Sequence, residues 1–70
     1  PRDARLNGVQ RVVLIDDVLA TGGTASAALD LLSQAGISVV HALFLLEILP
    51  LAGREKLSNV PTSSLFEAPW

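Results

Sequence analysis

Apolar positions fall into three blocks along this chain, each with its own period. The first is Val12-Val13-Leu14-Ile15, an unbroken run that ends at two adjacent acids, Asp16 and Asp17. A continuous aliphatic run predicts a strand covered on both faces, here Arg11 to Ile15. The second block is helical: Ala28, Leu31, Leu32 and Ala35 recur at i, i+3, i+4 and i+7, while Asp30 and Ser33 fall on the other face. That spacing predicts a helix from Thr24 to Ala35, with Gly36 as its C-terminal stop. The third block, Ile37 to Leu46, is apolar and partly β-branched and predicts a second strand. Strand, helix and strand in this order make a βαβ unit, whose crossover is expected to be right-handed.

Outside the blocks the pattern is weaker. Pro1 to Gln10 is polar and reads as a loop or lead-in. Asn7-Gly8 is a turn signal, but Leu6 and Val9 alone do not make flanking strands. Leu49 to Gly53 holds Pro50 and Gly53 and reads as a loop or broken turn. Arg54 to Leu57 is compatible with a short helix, Pro61 to Ser64 with a turn, and Leu65-Phe66 with a short final strand.

Seventy residues, half of them apolar, make at most one small domain. So high an apolar share points to buried strands, or to surfaces meant for further neighbours. The net charge of −2 offers no basic footprint for nucleic acid. With no cysteine, disulfides and thiolate metal sites are excluded. The start is polar and charged, without a signal-peptide pattern. The longest apolar stretch, Ile37 to Leu51, is interrupted by Ser38, His41, Glu47 and Pro50. It falls short of the roughly 20 residues of a spanning helix. The expectation is a cytoplasmic protein that works off the membrane.

Candidate chemistry lies between the first two blocks. In open α/β sheets, ligands bind just outside the carboxyl ends of the strands. Asp16 and Asp17 stand where the first strand would emerge. Thr21-Gly22-Gly23-Thr24 follows at a short offset, opening the helix. Glycine lets a backbone approach a ligand closely. Backbone N–H groups and the positive end of the helix dipole then form a phosphate cradle, to which Thr21 and Thr24 add hydroxyls. Each half has a bland alternative: acids often cap a turn after a strand, and Gly-Gly suits an ordinary strand-to-helix turn. The two together favour a site. No lysine follows the last glycine, so this is not a Walker A loop, and the glycine spacing is not that of a dinucleotide fingerprint. A carboxylate pair here also suits Mg²⁺ held through water. Neighbours in an ideal strand point to opposite faces, so both acids reach one ligand only if the backbone turns at Asp17.

Val12 to Thr24, reading V-V-L-I-D-D-V-L-A-T-G-G-T, resembles the phosphoribosyl pyrophosphate (PRPP) motif of the type I phosphoribosyltransferases. The wording D-D-V-L-A-T-G-G-T, with Leu46-Glu47 and Gly53-Arg54-Glu55-Lys56-Leu57 downstream, is most similar to the adenine-using members. The resemblance covers residues 11–66. It implies an α/β fold, the chain being the βαβ portion of a Rossmann-like parallel sheet. It implies that Asp16 and Asp17 hold the ribose hydroxyls and that Ala20, Thr21, Gly22, Gly23 and Thr24 hold the 5′-phosphate. It also implies Mg²⁺ with PRPP, a purine base and AMP as partners, and a homodimer. Family members carry a flexible catalytic loop and a base-contacting hood before this motif. In the adenine enzymes a glutamate of that loop is associated with catalysis, and no residue here matches it. Residues 1–70 are thus expected to be a C-terminal fragment, with its N-terminal segments missing, of an enzyme converting adenine and PRPP to AMP and pyrophosphate. A member using another base, or a non-catalytic PRPP-binding regulator, are the alternatives.

The remaining polar residues have bland readings. His41, mid-strand among apolar neighbours, is expected to be structural. Glu47 is read as a structural charge at a strand end rather than a partner of the site. Arg54, Glu55 and Lys56 are read as a solvated face, and Leu29, Leu31 and Leu32 as core or interface. Paired acids after a strand also begin receiver domains, but those need a later phosphoacceptor aspartate, and the last aspartate here is Asp30.

Overall fold

A computed structural model describes residues 10–70. The lead-in over Pro1 to Val9, with its Asn7-Gly8 turn signal, lies outside the described residues. Gln10 already belongs to the first strand. Strand β1 (Gln10–Leu19) leads to helix α1 (Gly23–Gln34), strand β2 (Ile37–Ile48), two 3-10 turns (Leu49–Leu51 and Gly53–Leu57) and strand β3 (Thr62–Ala68). The sheet order is β1-β2-β3 and both pairings are parallel. This is the α/β parallel arrangement that the apolar blocks predict.

Three element boundaries differ from expectation. β1 runs on through Asp16, Asp17 and Val18 to Leu19 instead of ending at Ile15. The reason is its partner: β2 continues to Ile48, pairing Val18 with Leu46 and Leu19 with Glu47. Leu19 is also fully buried, which holds the strand's end inward. Thr62 to Ser64 belong to β3 and pair with Ala42 to Phe44, so the expected turn at Pro61 to Ser64 is strand from its second residue on. A register shift after Val12 leaves Val40 as the extra residue of β2, a bulge in the ladder.

The helix start and stop agree to within a residue, with Gly36 left-handed at φ 80° just past the C-cap. Its buried stripe does not match the predicted one. Ala25 is buried, Leu29 packs against the core and Leu32 is half-buried, whereas Leu31 and Ala35 are exposed. Leu29 and Leu31 are two residues apart, so a 3.6-residue period puts them on different faces. The sheet selects the stripe through Ala25, Leu29 and Leu32.

Leu19, Ala25, Ala42, Phe44 and Leu57 form the core, with Leu14, Leu29 and Val60 packed around it. The helix thus covers one face of the sheet. The other is open: Val13, Ile15, Leu45 and Leu65 are each at least half exposed. Strands expected to be buried on both faces are, among the described residues, covered on one. No described helix is long and apolar enough to cross a membrane.

Candidate functional site

The carboxyl end of β1 feeds directly into the loop that opens α1. Gly22 is the N-cap of the helix, at φ 87° and ψ −3°. A side chain there would be strained by the left-handed backbone alone. It would also meet another chain segment: a Cβ on Gly22 would lie 2.5 Å from the Gly53 carbonyl oxygen. Conversely, a Cβ on Gly53 would lie 2.2 Å from the Ala20 carbonyl oxygen and 2.8 Å from the Gly22 nitrogen. Two glycine backbones therefore lie against each other with no side chain between them.

No side chain caps the N-terminus of α1, and its first turn carries no acid. Thr21 Oγ1 accepts the Gly23 N–H only at 3.4 Å. The positive end of the helix is thus left without a compensating charge of its own, the condition under which a helix start attracts an anion. A small cleft of about 70 Å³ opens at this point, lined by Asp16, Val18, Leu19, Ala20, Thr21, Gly22, Thr24 and Ala25. Whole-ligand pockets begin near about 300 Å³, so the cleft has room for one group of a ligand.

The structure brings Asp16, Ala20, Thr21, Gly22 and Thr24 together around that cleft. Asp17 and Gly23 do not line it. The backbone does not turn at Asp17 as expected, because β1 stays extended through it and adjacent residues take opposite faces. Both acids are exposed. Asp16 Oδ1 accepts the Asp17 N–H and Asp17 Oδ1 accepts the Val18 N–H, each at 2.8 Å. The second oxygen of each carboxylate has no partner among the described residues. No group of three or more His, Cys, Asp or Glu side chains is gathered as a metal cage among the described residues.

Glu47, read from the sequence as a structural charge at a strand end, has surroundings that its sequence neighbours do not announce. It is 4% exposed, at the end of β2. Arg54 Nε donates to its Oε2 at 3.1 Å and Arg54 Nη2 to its Oε1 at 2.6 Å. Ser64 Oγ adds a bond to Oε1 at 2.9 Å, and Arg54 Nη1 donates to the Thr62 carbonyl. The Arg54 hydrogen bonds hold the Glu47 carboxyl below the usual carboxylate range; burial opposes them, and Ser64 and the Arg54 charge assist. The same pairing raises the Arg54 pKa. Arg54 is exposed like Glu55 and Lys56, its side chain at 45%, but unlike them it is tied into an ion pair. Glu47 and Arg54 are seven residues apart, a helical spacing, but Glu47 lies on a strand and Pro50 and Gly53 stand between them, so only the fold could reveal the pair. His41 is likewise satisfied, its Nε2 lying 2.8 Å from Ser63 Oγ on the neighbouring strand. A larger hollow of about 310 Å³ lies between α1, the start of β2 and the segment around Lys56 to Val60, away from the cleft.

Comparison with known proteins gives one consistent picture. The phosphoribosyl transferase domain family matches residues 2–67. An adenine phosphoribosyltransferase of Kineococcus radiotolerans is 54% identical over 56 residues, which is 80% of this chain and 30% of that protein. The crystal structure of adenine phosphoribosyltransferase from Thermoanaerobacter pseudethanolicus superposes with a TM-score of 0.80 at 41% identity, covering 87% of this chain and 37% of that one. The Trypanosoma brucei enzyme of the same name, solved with AMP, pyrophosphate and ribose-5-phosphate, superposes at 0.74 with 38% identity, covering 81% and 27%. The chain thus spans about a third of the length of the curated relatives it matches.

Proposed function

The chain belongs to the phosphoribosyl transferase domain family, and from that premise we propose that it is the PRPP-binding C-terminal part of an adenine phosphoribosyltransferase. The whole protein transfers ribosyl-5-phosphate from PRPP to adenine, releasing AMP and pyrophosphate. The observation that carries this reading is the cleft joining Asp16 to the Ala20–Thr24 loop at the carboxyl end of β1. The names of the relatives and the ligands of the Trypanosoma brucei structure support the choice of reaction.

In this reading the 5′-phosphate sits against the uncapped start of α1, taking donors from the backbone of Ala20 to Thr24 and from the Thr21 and Thr24 hydroxyls. Asp16, which lines the cleft, accepts hydrogen bonds from the ribose hydroxyls. The ribose is then anchored at two points. The bond from the anomeric carbon to pyrophosphate breaks as the bond to the base nitrogen forms, through an oxocarbenium-like transition state. The residues of this chain act by positioning, since a ribose held at both ends presents its anomeric carbon in one orientation. Mg²⁺ bound with PRPP would supply charge neutralisation to the departing pyrophosphate, and Asp16 would be the group of this chain to hold it through water. The catalytic loop and the base pocket belong to segments outside this chain. The protein works in the cytoplasm as a homodimer.

The test is AMP formation from adenine and PRPP by the full-length protein carrying this chain, with and without Mg²⁺. Turnover with another base in place of adenine would overturn the choice of substrate. Tight PRPP binding without turnover of any base would mark a regulator instead.

A further inference from the structure

Glu47 and Arg54 have no part in the chemistry just described, yet they form the most completely bonded polar cluster of the described chain. Burying a carboxylate is costly unless it is paired and hydrogen-bonded. Glu47 meets that condition with two bonds from one guanidinium and a third from Ser64. The guanidinium is a planar fork whose donors lie in fixed directions. Here they reach Glu47 on β2 and the Thr62 carbonyl at the start of β3, so Arg54 is tied to two strands at once.

What Arg54 holds is the residue before it. Gly53 is buried, and its peptide lies against Ala20 and Gly22. Ala52, next in line, is left-handed at φ 53°, a backbone that a residue with a Cβ adopts only when its surroundings impose it. On the far side of the turn, Leu57 is locked in the core at 2% exposure. The turn is therefore pinned at Arg54 and at Leu57, and its apex is pressed against the loop that opens α1.

Resting on the functional reading above, we propose that Glu47 and Arg54 are positioning residues for the 5′-phosphate. Their ion pair holds the Gly53 peptide as a rigid wall behind Ala20 to Gly22 and thereby keeps the loop's N–H groups aimed into the cleft. The competing account is that the pair only closes the end of the sheet. Such a pair affects stability but not the affinity of one substrate group, and an apolar replacement can serve as well.

The two accounts separate in the full-length enzyme with Glu47→Gln and Arg54→Lys. Glutamine keeps the shape and loses the charge; lysine keeps the charge and loses the fork. The measurements are KM for PRPP, KM for adenine, kcat, melting temperature, and calorimetric affinity for ribose 5-phosphate. The expected result is a rise of about tenfold in PRPP KM and a matching loss of ribose 5-phosphate affinity, with adenine KM and kcat at saturating PRPP within about twofold of wild type. A lower melting temperature with unchanged PRPP KM overturns the proposal. Should either variant fail to fold, Ser64→Ala removes one bond to Glu47 and is expected to move PRPP KM in the same direction by a smaller factor; an unmoved KM overturns the proposal there too. Wild-type enzyme that neither binds ribose 5-phosphate nor forms AMP overturns the functional reading itself, a failure visible before any variant is made.

Discussion

Gly53→Ala in the full-length protein is the sharpest probe of the contact between the two glycine backbones. The added Cβ would stand 2.2 Å from the Ala20 carbonyl oxygen and 2.8 Å from the Gly22 nitrogen. Both are main-chain atoms, so no rotamer change relieves the overlap and one segment must move. Overpacking of this kind costs about 1–3 kcal/mol when side chains yield, and a main-chain overlap belongs at the upper end, about 3 kcal/mol. Two companion variants separate the contributions. Gly36 is left-handed at φ 80° but has nothing within 4 Å of its added Cβ. Gly36→Ala therefore measures the left-handed backbone alone, about 1–2 kcal/mol. Gly22→Ala carries both penalties and is expected near about 4 kcal/mol if they add. Urea denaturation gives the stabilities, and titration with ribose 5-phosphate gives the affinities. Stability should fall in the order Gly36→Ala, Gly53→Ala, Gly22→Ala. Phosphate affinity should fall only for the last two, because Gly36 lies at the far end of α1. Gly53→Ala as stable as Gly36→Ala, with full affinity, would refute the idea that this contact shapes the loop.

Three further outcomes are expected. Asp16→Asn combined with Asp17→Asn should abolish PRPP binding in calorimetry with Mg²⁺ while changing stability by no more than about 1 kcal/mol, since both side chains are exposed; normal affinity would make the acids structural. Glu47 has a folded pKa below its unfolded one, so its stabilising contribution is present above the ordinary glutamate value of about 4.3 and is lost as pH falls through the folded value. Denaturation curves of wild type should therefore weaken below that pH more steeply than those of Glu47→Gln, and equal slopes would remove the pair from the acid response. The 70-residue chain by itself should form no AMP above background, because its apolar face of Val13, Ile15, Leu45 and Leu65 is open to water and a core this small supplies at most about 3–5 kcal/mol; turnover by a folded monomer would contradict this.

The legible parts of this chain are those whose signal is local. Val12 to Ile15 announces a strand because four aliphatic residues in a row have few other uses. Gly36 marks the helix end because it alone tolerates the backbone needed there. The Thr21–Thr24 loop is legible at the helix start because its glycines and hydroxyls are contiguous in sequence. Illegible parts depend on partners that sequence does not put side by side. The strand's continuation past Asp17 depends on β2 being twelve residues long, so that Val18 and Leu19 find Leu46 and Glu47. The stripe of α1 depends on which side chains Ala42 and Phe44 leave room for, and Leu29 takes the place that periodicity alone assigned to Leu31.

Glu47 and Arg54 show the same limit in their chemistry. Taken singly, a glutamate at a strand end and an arginine in a charged turn look like solvent-facing residues. Their pairing requires that the turn after β2 fold back over the end of the strand, which brings seven residues of sequence separation down to a 2.6 Å contact. The same fold-back sets Gly53 on Gly22, and both glycines then become obligatory for reasons that neither segment contains alone. A candidate phosphate loop is thus only half described by its own residues. Its T-G-G-T segment can present donors, but the direction of those donors is set by a turn some thirty residues later. The loop is thus marked by its own residues, whereas the wall behind it exists only in the folded chain.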